Sequence, residues 1–359
     1  MPETITAIDP RRRHAQATAL LPRRPRLRPG VVLVRRGPGE IQFGLQPGRA
    51  IVVADLPVGL ADVAGSLAGG ITTAELLAKV ESHDRAALSG LLRHLADAGL
   101  LDDATDKHTG TPRGLAAEAA PLGRAGAAVE VRGDGRIAVA VAVQLAAAGV
   151  GHLRVETTGL VSADDVGTGL TSDDIGGPRA DAAHRALLRA NDSVHTARFT
   201  RRRPDLVLLT DAVVPDPAAL TALMDRRVRH LPVRIRGGVG LVGPLVVPGT
   251  TACLTCVDHH RVDRDPGWPG IAAQLVGRAQ IADLPTVHAT AALAATQALE
   301  ALSRTDPPTW NRTLEIDPAA GTLRHRPWSP HPWCGCRASE RAHTAIGCAT
   351  GAGQGTIVT

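Results

Sequence analysis

Four of the five cysteines in this 359-residue chain stand in two close pairs, Cys253-Leu254-Thr255-Cys256 and Cys334-Gly335-Cys336. Two thiolates two or three positions apart can grip one face of a tetrahedral metal, and a second pair brought in by the fold completes the shell. The C-x-x-C…C-x-C layout therefore predicts a structural Zn2+ with four sulfur ligands and no open coordination position. Such a site would tie the body of the protein to its C-terminal segment. A disulfide or a redox pair is the competing reading. The first 30 residues carry many arginines and no apolar h-region, so no secretory signal supports an oxidising compartment. Cys348, the fifth cysteine, reads as a stray thiol in a small-residue tail.

A second group of residues could bind phosphate. Gly133-Asp134-Gly135-Arg136-Ile137-Ala138 fits G-x-G-x-x-G/A between a strand and a helix. Glu156 lies 21 positions beyond Gly135 at the end of the next strand, where an acidic residue can meet a ribose. Glycines at such a turn let the backbone approach phosphate at a helix N-terminus. A tight strand–helix turn without ligand satisfies the same pattern. His259-His260 directly follow the first cysteine pair; a capping, hydrogen-bonded role suits them better than catalysis.

These residues need a scaffold to position them. Val31–Val34, Glu40–Gly44 and Ala50–Ala54 read as strands. Helices follow at Val58–Leu67, Thr72–Val80 and Asp84–Ala98. Thr72 with Glu75 is a capping box, and Leu88, Leu91, Leu92 and Leu95 repeat at helical spacing. Three strands then three helices predict a small winged-helix-like α+β domain over 31–103. Residues 1–30 read as a disordered basic arm, 104–127 as a linker, 128–338 as a larger domain and 339–359 as a disordered tail. In the larger domain strands alternate with helices, from Val129–Val131 to Thr286–Leu302, which implies a parallel sheet. Val239–Val247 reads as a strand pair turned at Gly243-Pro244, and Thr313–Ile316 with Thr322–Arg324 as a hairpin.

Composition narrows the function. Hydrophobic residues make up 44%, but aromatics only 2%, with no tyrosine. That argues against a single-stranded nucleic-acid binder, which needs stacking platforms. Net charge is +5, with basic residues concentrated near the N-terminus. No apolar run reaches the roughly 18 residues that a membrane helix needs, so a cytoplasmic protein with no membrane partner is expected.

With these motifs in place the chain resembles the ThiF/MoeB family of ubiquitin-activating-type adenylyltransferases. The matching stretches are Gly133-Asp134-Gly135, Leu145–Gly151, Ser172–Ala183 and the paired cysteines. Val247–Arg261, Asp263–Pro269 and His331–Cys336 look like actinobacterial ThiF-like proteins that act as leader-peptide-binding or cyclodehydratase components of azol(in)e peptide biosynthesis. The resemblance covers about residues 28–337. It implies a Rossmann-like ThiF-type domain with zinc on Cys253, Cys256, Cys334 and Cys336, and it implies a homodimer. The family's recognition domains add a leader peptide as a strand. Here that points to Ile51, Val52 and Val53, packed against Leu88, Leu91 and Arg93, with Arg85 and Arg93 facing acidic leader residues.

The departures from the family bear on ATP. Active members carry an arginine in the loop after the second strand, but Ser162–Gly169 contains none. Arg179 stands in place of a lysine, and Asp211 matches the aspartate that would hold Mg2+. Losing the loop arginine removes positive charge that a triphosphate in transit needs. The expected function is a non-catalytic scaffold that captures a precursor leader and presents it to a YcaO-type cyclodehydratase. An active adenylyltransferase using ATP/Mg2+ through Gly133, Gly135, Glu156, Arg179 and Asp211 is one alternative. A winged-helix nucleic-acid binder, suggested by the basic arm, is the other.

Overall fold

A computed structural model describes residues 3–6, 21–28, 30–45, 50–67, 70–104, 124–199, 202–279, 281–303 and 306–336. Most of the expected linker, the whole expected tail and Cys348 lie outside the described residues. The chain divides into two units, 1–118 and 119–359.

In the first unit β1 (Glu3–Thr6), β2 (Pro25–Leu27), β3 (Leu33–Gly37), β4 (Glu40–Phe43) and β5 (Ile51–Ala54) precede α1 (Val58–Ala64), α2 (Thr73–Ala78) and α3 (Arg85–Asp97). β6 (Leu101–Asp103) then pairs antiparallel with β2. The other strands form one sheet in the order β1-β5-β4-β3. Ile41, Phe43, Leu60, Leu76, Leu88, Leu92 and Leu95 are its buried centre. Thr72 closes the expected capping box: its hydroxyl accepts from the Glu75 amide, and Glu75 accepts from the Thr72 amide.

Two expectations change here. The stretch 1–30 holds strands at both ends of its described part, so disorder is not its state there. β1 runs parallel to β5 with Thr4 opposite Val52 and Ile5 opposite Val53. Alternating Thr-Ile-Thr is β-favouring, and the main-chain groups of β5 supply the partner. The first long strand also starts two residues late, at Leu33, and its pairing with β4 is irregular between Arg35 and Gly37.

The second unit holds a seven-stranded sheet. β7 (Ala128–Arg132), α4 (Arg136–Ala147), β8 (His152–Glu156), α5 (Arg179–Ala190), β9 (Leu206–Thr210), α6 (Pro217–Asp225) and β10 (His230–Arg236) alternate as expected. β11 (Val239–Val242), α7 (Leu254–Val262), α8 (Trp268–Leu275), α9 (Leu284–Leu302), β12 (Arg312–Asp317) and β13 (Thr322–Pro327) follow. The strand order is β13-β12-β11-β10-β9-β7-β8, parallel from β8 to β10 and antiparallel beyond. α4 is apolar around nearly its whole circumference because it is buried between sheet and helix. Its small side chains and those of α9, Ala291, Ala294 and Ala298, share one core with Val129, Val131 and Leu208.

Gly243-Pro244 does not turn a strand pair. Gly243 has φ 93°, and beyond it Val246 makes an isolated bridge to His230. α7 and α8 fall between the Val239–Val247 and Thr286–Leu302 assignments, where no element was assigned from the sequence. In α7, three cysteine-segment residues face inward and charged or imidazole groups face out, a helical division that two close cysteines obscure in the sequence. No helix among the described residues is long and apolar enough to cross a membrane.

Candidate functional site

The cysteine quartet is assembled. Cys253 is the N-cap of α7 and Cys256 lies in its first turn, while Cys334 and Cys336 come from the chain after β13. Sγ–Sγ separations are 3.7 Å for Cys253–Cys256, 3.6 Å for Cys253–Cys334 and 3.5 Å for Cys256–Cys336. All four sulfurs lie within 4.8 Å of one another. A tetrahedron with Zn–S of about 2.3 Å has edges of about 3.8 Å, so the donors fit zinc; a disulfide needs about 2.05 Å. Hydrogen bonding from Cys256 holds the Cys253 thiol down at about 5. Burial, and then the charge on Cys253, pushes Cys334 up to about 12. One thiolate opposes the next, so the set takes its full charge only around a cation. The ion would supply cross-linking alone, since four protein sulfurs leave it no open position.

Histidines clamp the same junction. His260 donates from Nε2 to the Ser329 carbonyl at 2.9 Å. His331 is buried; its Nε2 donates to Asp263 Oδ2 at 3.1 Å, and its Nδ1 accepts from the Trp333 amide at 3.2 Å. His259 stacks on His331 with centroids 4.9 Å apart. His260, Asp263 and His331 are close enough to suggest a second metal. However, His331 uses both nitrogens in hydrogen bonds, so they form a clamp. His260 is hydrogen-bonded to the segment, and His259 meets it through the stack on His331.

The glycine turn lies between β7 and α4, and Gly135 is the N-cap of α4. Gly133, Gly135, Glu156 and Asp211 come together there. The Gly133 amide donates to the Glu156 carbonyl at 3.1 Å. The Glu156 carboxylate is engaged by Arg154 at 3.1 Å and approached by Arg132 at 3.7 Å. The Asp211 carboxylate occupies the mouth of α4. Its Oδ1 accepts from the Ile137 amide at 3.0 Å, and the amides of Gly135 and Ala138 also bond it. Asp211 is buried, with φ 71°. Burial raises its pKa, while the Thr210 hydroxyl and the three amides pull the other way.

The first-turn amides that would cradle phosphate are thus taken by a carboxylate of the chain itself. In this arrangement those amides are not free to hold a triphosphate. A pattern of glycines cannot reveal such an occupant, which arrives from 76 positions beyond Gly135.

Arg179 lies apart from that group. It donates to Asp165 Oδ2 at 2.8 Å and to the Leu160 carbonyl at 2.9 Å. Asp165 and Asp174 each close a capping box, with Ser162 and Thr171. Arg185 reaches Asp174 at 2.6 Å. The loop expected to lack an ATP arginine is therefore held by its own ion pairs. Arg136, which the sequence reading did not single out, joins it: its Nε donates to the Asp164 carbonyl, and its Nη1 donates to the Ala282 carbonyl at 2.8 Å.

The Thr171 amide, then Arg185, hold Asp174 down at about 2. A depressed carboxylate stabilises the fold above its unfolded pKa and loses that contribution as pH falls through the folded value. Asp174→Asn should therefore be less stable than the parent at pH 7. The gap should close between about pH 4 and pH 2, as measured by urea unfolding at each pH.

The residues expected to meet a leader peptide divide. Ile51, Val52 and Val53 are buried, with β1 along their edge; Leu88 and Leu91 are buried in the unit's core, and Arg93 is exposed. The two leucines belong to the same buried core as Ile51 and Val53. Arg85 donates to the Leu77 carbonyl.

A model of the ThiF family matches residues 125–338. Among solved structures, MccB of E. coli with ATP is 16% identical, with TM-score 0.61, and covers 87% of this chain and 99% of its own. The microcin C7 biosynthetic enzyme MccB in complex with N-formylated MccA is 16% identical, with TM-score 0.63 and the same coverage. Selenomethionine PaaA is 18% identical, with TM-score 0.58, and covers 84% of this chain and 99% of its own. No curated protein matches.

Proposed function

We propose, from the premise that this chain belongs to the ThiF family, that it is a non-catalytic leader-peptide-binding scaffold in the making of a ribosomal thiazole- or oxazole-type peptide. The first unit acts as a winged-helix-like recognition domain. A precursor leader adds as a strand at the β5 edge, and the zinc-braced ThiF-like unit belongs to a homodimer that presents it to a YcaO-type cyclodehydratase. On this reading the chain is a cytoplasmic member of the actinobacterial cyclodehydratase-component group. The observation that carries the reading is β1. Residues 3–6 already lie along β5 in main-chain register, so that edge accepts an extended segment. Strand addition draws affinity from main-chain hydrogen bonds. The complex of MccB with N-formylated MccA is consistent with a bound partner in this fold.

The leader must displace β1. Deleting residues 3–6 should tighten binding of a fluorescent synthetic leader about tenfold, because the tethered competitor is gone. Unchanged or weaker anisotropy titrations would count against the β5 edge.

The second reading is an adenylyltransferase. It is favoured by the Nε of Arg179, a buried donor without a partner among the described residues. Pyrophosphate exchange with ATP–Mg2+ decides between the readings: robust, substrate-dependent exchange would sink the scaffold.

A further inference from the structure

β10 is buried from His230 to Ile235, yet it carries Arg234 at 3% exposure. Register sets Arg234 beside Leu241 of β11, Leu241 beside Glu315 of β12, and Thr313 beside Arg326 of β13. Residues opposite one another in a sheet share a face, and Arg236, two positions beyond Arg234, shares it too. α7, α8 and the turn between them bring Arg261, Arg264, Asp265 and Trp268 against that face, enclosing a cavity of about 190 Å³. None of its lining residues belongs to the glycine turn or to the cysteine quartet.

Two of the five arginines here are satisfied. Arg326 pairs with Glu315 at 2.6 Å. Arg261 donates to Asp258 at 3.2 Å and lies over the Trp268 ring at 4.5 Å. The guanidiniums of Arg234, Arg236 and Arg264 have no hydrogen bond or ion pair among the described residues; Arg264 only lies over the Trp328 ring, at 5.4 Å. One carboxylate is left, Asp265, whose Oδ1 accepts from the Gly267 amide at 2.9 Å. Three cations thus face one anion, an excess of two positive charges. Burial, then repulsion from Arg261 and Arg236, holds Arg234 down at about 9, and Asp258 offsets only part of this. A buried cation without a partner is costly, and a ligand that brings charge and acceptors removes that cost.

We propose that this cavity binds a phosphate group, either inorganic phosphate or the phosphate end of a small monoester, through the guanidiniums of Arg234, Arg236 and Arg264. Above its second pKa of about 6 a phosphate carries nearly two negative charges, which matches the excess. A carboxylate would leave one positive charge unmatched. The planar fork of arginine meets two phosphate oxygens with parallel hydrogen bonds. Sites for whole small ligands run to roughly 300–1,000 Å³, so this smaller space suits the group itself and not a nucleotide. Arg234 is buried, while Arg236 and Arg264 are exposed, so the ligand would reach the buried fork past two that solvent already wets. The inference stands whichever reading of the chain's function holds.

Calorimetric titration of the zinc-loaded full chain at mildly basic pH tests it, with inorganic phosphate, phenyl phosphate and acetate as probes. Phosphate should bind, and acetate roughly tenfold more weakly, about the worth of one charge-assisted hydrogen bond. Tighter binding of phenyl phosphate than of inorganic phosphate would name a monoester as the ligand, and weaker binding the free ion. Arg234→Met should lose roughly tenfold in phosphate affinity while keeping its zinc, and its Tm should hold or rise because an unpaired buried charge is gone. Arg236→Met, at an exposed position, should weaken phosphate severalfold and leave Tm unchanged. Equal binding of acetate and phosphate, no phosphate response at tens of millimolar, or full binding by Arg234→Met would overturn the site. If Arg234→Met melts lower than the parent, Arg236→Met decides: unchanged phosphate affinity in that variant would overturn the site as well.

Discussion

Cys253→Ser should release close to all bound zinc and lower the melting temperature by on the order of 10 °C. Zinc binding is worth on the order of 10–16 kcal/mol in peptides that fold only around the metal. This unit has a large core of its own, so only part of that sum appears as stability. The part at risk is definite. Val246, Ala252, Leu254, Val257 and Trp328 form a separate apolar cluster with the cysteines. Cys334 and Cys336 belong to no helix or strand, so without the metal that segment keeps only the histidine clamp and the Trp328 contacts. Cys336→Ser should behave alike. Metal analysis after gel filtration, with thermal unfolding followed by circular dichroism, reads both effects. Full zinc with an unchanged Tm in either variant would remove the quartet assignment.

Gly135→Ala should destabilise the chain by about 3 kcal/mol, the upper range for forced overpacking. An added Cβ would meet Asp211 Oδ1 at 2.4 Å, Cγ at 2.6 Å and Cβ at 3.0 Å, so its three nearest neighbours all belong to that one side chain. Gly135 has φ −113°, so backbone strain is not the reason for glycine. The added methyl would evict the carboxylate that caps α4. The penalty should therefore shrink to under about 1 kcal/mol when Asp211 is already glycine, a substitution that its φ of 71° tolerates. Urea unfolding of the parent, the two single variants and Gly135→Ala/Asp211→Gly gives the coupling. Additive effects would mean that something other than Asp211 occupies the turn. Coupling would mean that this glycine motif accommodates an acid of the chain.

The alternation of strands and helices in 128–302 was legible because buried parallel strands such as Leu206–Thr210 read as continuous apolar runs. The quartet was legible because ligand spacing is local within each pair. What the sequence hid was long-range or context-dependent. Nothing in Thr4-Ile5-Thr6 announces its partner, because pairing of so short a strand is set by the edge it finds. The hidden α7 carries the cysteine pair in its first turn, where metal-ligand spacing outweighs helical periodicity to the eye. Asp211 was found as a residue, but its role depends on where its carboxylate points. Arg179 was expected at phosphate, and its ion pair with Asp165 could not be read from the sequence. Arg234 passed as one more residue of a strand, since its lack of a partner exists only in three dimensions.

β1 also bears on solubility. Ile51-Val52-Val53-Ala54 is an uncharged apolar strand, and its outer edge is covered by four residues of the chain's own N-terminal region. An uncovered edge of that composition is a template for pairing with other chains. Shortening the N-terminus to open the proposed peptide site would therefore trade occupancy by self for association between copies. Truncated protein should elute increasingly early from a sizing column as its concentration rises, and added leader should reverse the shift.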